Sequence, residues 1–163
     1  MPRKTTSLII AILVVAGNSC TQPGGDSATT ARIDSLQKQL EKYKPGLGEI
    51  MMGIQTHHAK LWFAGVNNNW KLAEYETGEL KEMADQAKEI ETDRPEVKLI
   101  PMLYPAIDSI SLAVQQKNPV AFKAGFLLLT NTCNSCHTVN HFEFNVITVP
   151  SIPPVDNQDF KPR

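Results

Sequence analysis

The chain has 163 residues, of which 42% are hydrophobic and 20% are charged, and its formal net charge is −1. This length and composition are typical of one globular domain, and they exclude a barrel enzyme, a two-domain dehydrogenase and a disordered chain. The near-neutral charge argues against nucleic acid as a partner, because phosphate binding requires a basic face.

The first 19 residues have the features of an export signal. Arg3 and Lys4 precede an apolar run at positions 8–16 that is too short to remain as a membrane-spanning helix. We therefore predict a signal peptide over residues 1–19 and a mature protein in the periplasm.

Cys20 follows the predicted signal peptide and precedes a polar, turn-prone segment. The arrangement resembles the leader of bacterial lipoproteins, in which the cysteine becomes the acylated first residue. The resemblance implies a lipid anchor at Cys20 that holds the domain at a membrane surface, with residues 21–30 as a flexible tether. The alternative is ordinary secretion, with a spare thiol at this position.

The first predicted helix lies between the tether and the main body of the domain. From Ala31 to Tyr43, apolar side chains recur at spacings of three, four and three, which is the pattern of one amphipathic helix. Pro45 and the glycine after it end this helix. We assign residues 20–45 to the anchor, its tether and the short helix.

The segment 46–149 is predicted to form four helices. Apolar stripes at helical spacing predict the first two over residues 47–64 and 70–91. Three prolines disfavour a regular helix over residues 92–104, because each removes a backbone donor and restricts the residue before it. We expect a broken or kinked segment there.

The third helix is predicted from Pro105 to Lys117, and the fourth begins after Asn118, a capping residue that is followed by Pro119. The inner face of the fourth helix carries, at steps of four, three, four and three, the residues Phe122, Phe126, Leu129, Cys133 and Cys136. Its apolar stripe therefore continues directly into the two cysteines.

The helical pattern ends after Val139. Alternating apolar residues over 142–146 indicate either one short strand or an extended cover, and residues 150–163 are predicted as a Pro-rich extended tail. The predicted fold is all-α, an antiparallel four-helix bundle with a short N-terminal helix and an extended C-terminal tail.

The segment Cys133-Asn134-Ser135-Cys136-His137 is a C-x-x-C-H motif, the attachment site of a c-type haem. Two thiols three residues apart can each add to a vinyl group at one edge of the porphyrin, while His137 presents its imidazole to the iron from the same turn. The motif predicts one covalent haem c, bound through Cys133 and Cys136, with His137 as the proximal iron ligand.

Other classes of site also use two closely spaced cysteines. A thioredoxin-like pair follows a strand and opens a helix, whereas this pair lies near the end of a helix with no predicted parallel sheet. A zinc site needs four ligands, and Cys133, Cys136 and His137 are too close in sequence to close a tetrahedron easily with one remote partner. A disulfide across so short a loop would add little stability.

A set of four helices with C-x-x-C-H on the last one resembles the cytochrome c-prime family and its six-coordinate relatives. The resemblance covers residues 47–137. It implies a haem held between the helices and a distal iron position that faces the first bundle helix, filled by an apolar side chain or by a methionine. It also implies a homodimer, formed through the first two helices, as one option for assembly.

Met51 is the first candidate for the distal iron ligand. It lies on the inner stripe near the start of the first bundle helix, which in an antiparallel bundle is close to the end of the last helix. A thioether opposite histidine favours reduced iron and suits electron transfer. The alternative is that Met51 is a core residue. Met102 is the second candidate, and Met52 points about a third of a turn away from the inner stripe.

The histidines leave further options open. His57 and His58 allow bis-histidine ligation, although a histidine there is as often a core or surface residue. His141 follows the motif by one turn and is expected to contact a haem propionate or solvent.

The expected function is that of an exported monohaem c-type cytochrome, a one-electron carrier rather than an enzyme, with redox proteins as partners. No nucleophile–base pair and no paired carboxylates stand out in the sequence. The alternative is a five-coordinate haem protein that binds or senses small gases such as nitric oxide or carbon monoxide. A weak peroxidase is a third option, with His57 or His58 as its distal acid–base residue.

Overall fold

The structure is a computed structural model, and it describes residues 27–163. Over these residues the chain forms five α-helices and one 3-10 segment, with no strand. The all-α class is therefore confirmed for the described part of the chain. The predicted signal peptide, Cys20 and the first residues of the predicted tether lie outside it.

The chain divides into two compact units, Met1–Lys42 and Tyr43–Arg163. The described residues of the first unit, 27–42, belong to helix α1, Ser27–Tyr43, which has no buried residue. The helix begins four residues earlier than predicted, so residues 27–30 are helical and the prediction of a flexible tether there is wrong. Ala28 and Ala31 favour the helix, and no glycine or proline follows Gly25 to stop it before Pro45.

The second unit contains the other helices, with these bounds: α2 Leu47–Val66, α3 Trp70–Ile90, the 3-10 segment Pro95–Leu103, α4 Tyr104–Gln115 and α5 Pro119–Val139. Two helix starts are fixed by asparagine caps. The side chain of Asn69 accepts a hydrogen bond from the backbone of Leu72, and that of Asn118 accepts from Val120 and Ala121. Both caps lie where the sequence predicted a helix start.

The proline-rich connection between α3 and α4 is the predicted broken segment, and it takes the 3-10 form. Pro95 begins it and Pro101 lies inside it. The stretch Pro95–Gln115 is the one span in the described residues that is long and apolar enough to cross a membrane. Its apolar residues Ile100, Leu103, Ile107 and Ile110 are buried in the core.

Helices α2 and α5 are antiparallel, as two side-chain contacts show. The ring centroids of Trp62 and Phe126 are 4.8 Å apart, and His58 Nε2 lies 2.8 Å from Thr130 Oγ1. A step of four residues back along α2 thus matches a step of four residues forward along α5. Aromatic side chains fill the core at this level.

The segment after α5 contains turns and bends, so the strand predicted over residues 142–146 is wrong. The alternative of a cover is supported, because Phe142, Asn145 and Ile147 line a cavity, but residues 142–145 form a turn rather than extended backbone. No partner strand is present in the described residues, and an isolated strand has nothing to satisfy its backbone groups. Farther along the tail, Phe160 is buried and its ring lies 5.6 Å from that of Phe63. The Asn69 side chain donates a hydrogen bond to the Lys161 carbonyl at 3.3 Å.

Candidate functional site

A cavity of about 350 Å³ lies among the start of α2, the end of α5, the 3-10 segment and the segment that follows α5. Its wall includes the apolar side chains of Leu47, Ile54, Ile100 and Leu103. The volume is within the range of about 300–1,000 Å³ that is usual for cofactor and ligand sites. The cavity is therefore the candidate functional site of the described chain.

The three predicted attachment residues, Cys133, Cys136 and His137, all line this cavity. They lie in the last turns of α5, with the two cysteines on the inner stripe that the sequence predicted and His137 next to Cys136. Cys136 is buried and Cys133 is half-buried. The structure thus brings both thiols and the imidazole to one apolar wall.

Burial governs the chemistry of the two free thiols. It raises the pKa of Cys133 to about 11, and the neighbouring Cys136 adds to the shift. Burial also raises the pKa of Cys136, against a weaker lowering effect of its hydrogen bond with Asn140. A redox-active C-x-x-C pair has a lowered thiol pKa instead. The environment of these cysteines is therefore unlike that of a thioredoxin-type site.

The imidazole of His137 is held in one orientation by the segment that follows α5. Its Nδ1 lies 2.6 Å from the backbone carbonyl oxygen of Asn145. A carbonyl can only accept, so Nδ1 carries the hydrogen and donates it. Nε2 is then the nitrogen with the free lone pair. Histidines that ligate metals are held in this way, with one ring N–H donated to a carbonyl or a carboxylate.

Met51 also lines the cavity, and its side chain is half-buried. It lies seven residues before His58 in α2, while His137 lies seven residues after Thr130 in α5. Since His58 and Thr130 are in contact and the helices are antiparallel, Met51 and His137 lie at the same level of the helix pair.

Met52 and Met102, the other two methionines that the sequence interpretation considered, differ from Met51 in their surroundings. Met52 lies at the edge of the cavity, with 63% of its surface exposed. Met102 is 38% exposed in the 3-10 segment and is not among the residues that line the cavity. The arrangement therefore favours Met51 over Met102 as the residue that faces His137.

His58 is a buried histidine in the inner wall of the cavity. Thr130 donates its hydroxyl hydrogen to the Phe126 carbonyl, so it accepts from Nε2–H of His58. Burial lowers the pKa of His58 to about 4, which keeps the ring neutral at pH 7. With its Nε2 committed to Thr130 and its ring 4.3 Å from that of Phe126, His58 is a core histidine in this structure.

His57 and His141 do not line the cavity. His57 faces α3, where its Nδ1 lies 2.7 Å from Oε2 of the buried Glu76. His141 is exposed just beyond the end of α5, with a backbone φ of 62°. The structure does not bring either side chain to the site that contains the cysteines.

The cavity wall includes polar residues that the sequence interpretation missed. Arg94 and Glu96 lie on it and form an ion pair, with Nη2 and Oε1 3.0 Å apart. The other carboxylate oxygen of Glu96 is buried without a hydrogen-bond partner. No motif marks these residues, which lie at the start of the proline-broken segment. Asn145 was also missed, because it contributes a backbone carbonyl, which every residue type has and no sequence motif marks.

Within residues 27–163, no three His, Cys, Asp or Glu side chains are arranged to hold a metal ion. Comparison with models of protein families, with curated proteins and with solved structures finds no match to this chain.

Proposed function

We propose that the protein is an exported monohaem c-type cytochrome that carries single electrons. One observation carries the proposal: both thiols of the C-x-x-C-H motif and its histidine line one apolar cavity, and the Nδ1–H of His137 is donated to a carbonyl. When bound, the haem supplies one-electron chemistry between ferric and ferrous iron. The chain itself has to bind the porphyrin, ligate its iron and exclude water.

Attachment would use the two free thiols. Each S–H would add across one vinyl double bond, so that sulfur would bond to one vinyl carbon and the hydrogen would end on the other. Such an addition balances without an oxidant or a reductant. Because Cys133 and Cys136 are three residues apart on the inner face of α5, both sulfurs are offered from one wall of the cavity.

The iron ligands in this proposal are His137 and Met51. The lone pair on Nε2 of His137 would make that nitrogen the ligating atom, and Met51 lies at the matching level of α2. With these two residues as ligands, the iron would favour the ferrous state and would have no position left for a small gas. This arrangement would suit electron transfer better than the rival function of gas binding.

The other residues of the cavity wall also support the proposal of a bound haem. Apolar side chains such as Ile54 and Ile100 would exclude water from the porphyrin faces. Arg94 lies on the cavity wall with 49% of its side chain exposed, and its guanidinium suits the carboxylate of a propionate. The antiparallel pairing of α2 with α5 is consistent with the four-helix bundle of the cytochrome c-prime type.

A first experiment tests the cofactor. The chain is expressed in a host with the haem-attachment machinery, and the product is analysed by a pyridine haemochrome assay and by mass spectrometry. We expect one covalent haem per chain in the wild type and none in the double variant C133A/C136A. A colourless wild-type protein with both thiols free would contradict the proposal.

Reduced spectra distinguish the two haem functions. A low-spin ferrous spectrum with slow carbon monoxide binding supports electron transfer, because both axial positions are then filled by the protein. A high-spin ferrous spectrum with prompt carbon monoxide binding would instead identify the gas-binding alternative.

The cellular location is part of the proposal and has its own test. Acylation of Cys20 would retain the cytochrome at the membrane surface, near redox partners in the periplasm. We expect the wild type in the membrane fraction and the C20S variant in the soluble periplasmic fraction. Equal soluble recovery of both would favour secretion without a lipid anchor.

A further inference from the structure

The segment that follows α5 turns back over the end of that helix. The backbone N–H of Phe142 donates to the His137 carbonyl at 2.8 Å, and that of Asn145 donates to the Phe142 carbonyl at 2.8 Å. Phe142, Asn145 and Ile147 all line the cavity. The same turn that closes the helix therefore builds one wall of the site and brings the Asn145 carbonyl to His137.

Asn134, between the two cysteines of the motif, fastens this segment to α5. Its Nδ2–H donates to the Ile147 carbonyl at 2.8 Å, and its Oδ1 accepts from the Ile147 N–H at 2.8 Å. The side chain thus satisfies both backbone groups of one residue, as a neighbouring strand would. Within the described residues, these two hydrogen bonds attach the segment 146–149 to α5.

The geometry links Asn134 to the imidazole of His137. Asn134 lies three residues before His137, on the adjoining turn of α5, and Ile147 lies two residues after Asn145. Holding Ile147 restricts the position of the Asn145 carbonyl. That carbonyl lies 2.6 Å from Nδ1 of His137. Asn134 is thus connected to His137 by its hydrogen bonds to Ile147, by the two peptide units between Ile147 and Asn145, and by the hydrogen bond from His137 to Asn145.

We infer that Asn134 is a positioning residue for His137. Its amide holds the Asn145 carbonyl in place, and that carbonyl selects the ring tautomer with hydrogen on Nδ1 and the lone pair on Nε2. In the unloaded chain this prepares the imidazole for a metal. For the matured protein the inference rests on the proposed function: a retained Nδ1–H···O bond makes the ligand more basic and stabilises ferric iron.

The tautomer can be measured without haem. Nitrogen-15 NMR of the full-length, unloaded chain at a pH where the ring is neutral reports which ring nitrogen of His137 carries the hydrogen. We expect Nδ1–H in the wild type and mainly Nε2–H in N134A. The S135A variant is the matched control, because the Ser135 hydroxyl donates to the Asn131 carbonyl on the exposed face of α5. We expect S135A to match the wild type.

The conservative variant N134D keeps the inference testable if N134A does not fold. Aspartate retains an oxygen for the Ile147 N–H and loses the donor to the Ile147 carbonyl, so we expect a tautomer ratio between those of wild type and N134A. A wild-type tautomer ratio in N134D or in a folded N134A would overturn the inference.

The matured protein gives an independent measurement. Loss of the hydrogen bond from His137 should shift the ferrous-to-ferric ratio about tenfold toward ferrous iron at a fixed potential, which corresponds to a rise of about 59 mV for one electron. S135A should keep the wild-type midpoint. If the wild-type chain never takes up haem, the proposed function fails while the NMR result still decides the role of Asn134. An unchanged midpoint in matured N134A would count against that role alone.

Discussion

Met51 of α2 and His137 of α5 lie at the same level of an antiparallel helix pair, two helical turns from the hydrogen bond that joins His58 to Thr130 at 2.8 Å. Between them lies the cavity that also contains both thiols. In the proposed iron site these two residues would be the protein ligands. It also provides the most direct test of the proposal.

Replacement of Met51 by alanine should remove the distal ligand from the matured protein. We expect a change from low-spin to high-spin ferrous iron, faster carbon monoxide binding, and a reduction potential lower by more than about 59 mV, because a thioether ligand favours ferrous iron. Absorption spectroscopy and potentiometry measure these changes. The matched control is M52A, since Met52 is the adjacent and mainly exposed methionine. An unchanged low-spin spectrum in M51A would reject this ligand.

His58 should make the stability of the protein depend on pH. Its pKa is about 4 in the folded protein and about 6.5 when unfolded, so the unfolded chain binds more protons between these values. The contribution of neutral His58 to the free energy of unfolding is therefore fully present above about pH 6.5. It decreases as the pH falls toward 4, by up to about 3 kcal/mol. Urea unfolding of the unloaded chain between pH 7 and 4 measures the slope.

The H58Q variant is the comparison for this slope, because glutamine does not titrate and the carboxylates are the same in both proteins. H58Q should be less stable than the wild type at pH 7 and should lose less stability on acidification. Parallel pH profiles for the two proteins would show that His58 is protonated equally in the folded and unfolded chain.

Two glycines should respond in opposite directions to alanine. A Cβ at Gly65 would lie 2.0 Å from Cζ of Phe122, in the centre of the aromatic core, so we expect G65A to destabilise the protein by about 1–3 kcal/mol. A Cβ at Gly78 would meet no atom within 4 Å. We expect G78A to stabilise α3 by about 0.5–1 kcal/mol. Thermal unfolding of both variants checks the signs, and equal effects would contradict the packing described.

Phe160 should anchor the C-terminal tail. It is 6% exposed and packs near Phe63, so F160A should lower the free energy of unfolding by about 3 kcal/mol. The control is I152A, because Ile152 is 75% exposed in the same tail and its removal should cost little. Denaturant titration compares the two variants. Equal stabilities would show that the tail contributes nothing to the folded state.

Local signals in the sequence predicted the helix positions well. Asn118 was predicted as a cap and the structure confirms it, because a cap acts on the backbone groups next to it. The predicted helix start at Trp70 is also confirmed. The prolines marked the broken connection correctly. The predicted start of α1 was wrong, because no local signal marks where this helix begins. The strand predicted over residues 142–146 was also wrong, because the described chain has no partner strand for it.

The spacing of two cysteines and a histidine on one turn is a local property, so the amino-acid sequence alone was enough to propose Cys133, Cys136 and His137 as haem-binding residues. Which atoms meet them across the cavity depends on contacts between residues far apart in the chain. The fold decided that Met51 rather than Met102 lines the cavity with His137, and that His58 forms a hydrogen bond with Thr130. It also placed the Asn145 carbonyl against Nδ1 of His137 and brought Arg94 and Glu96 to the cavity. The spacing of apolar residues in the sequence specifies which face of a helix is buried. The residues that this face contacts are determined only when the helices and the segment after α5 pack together.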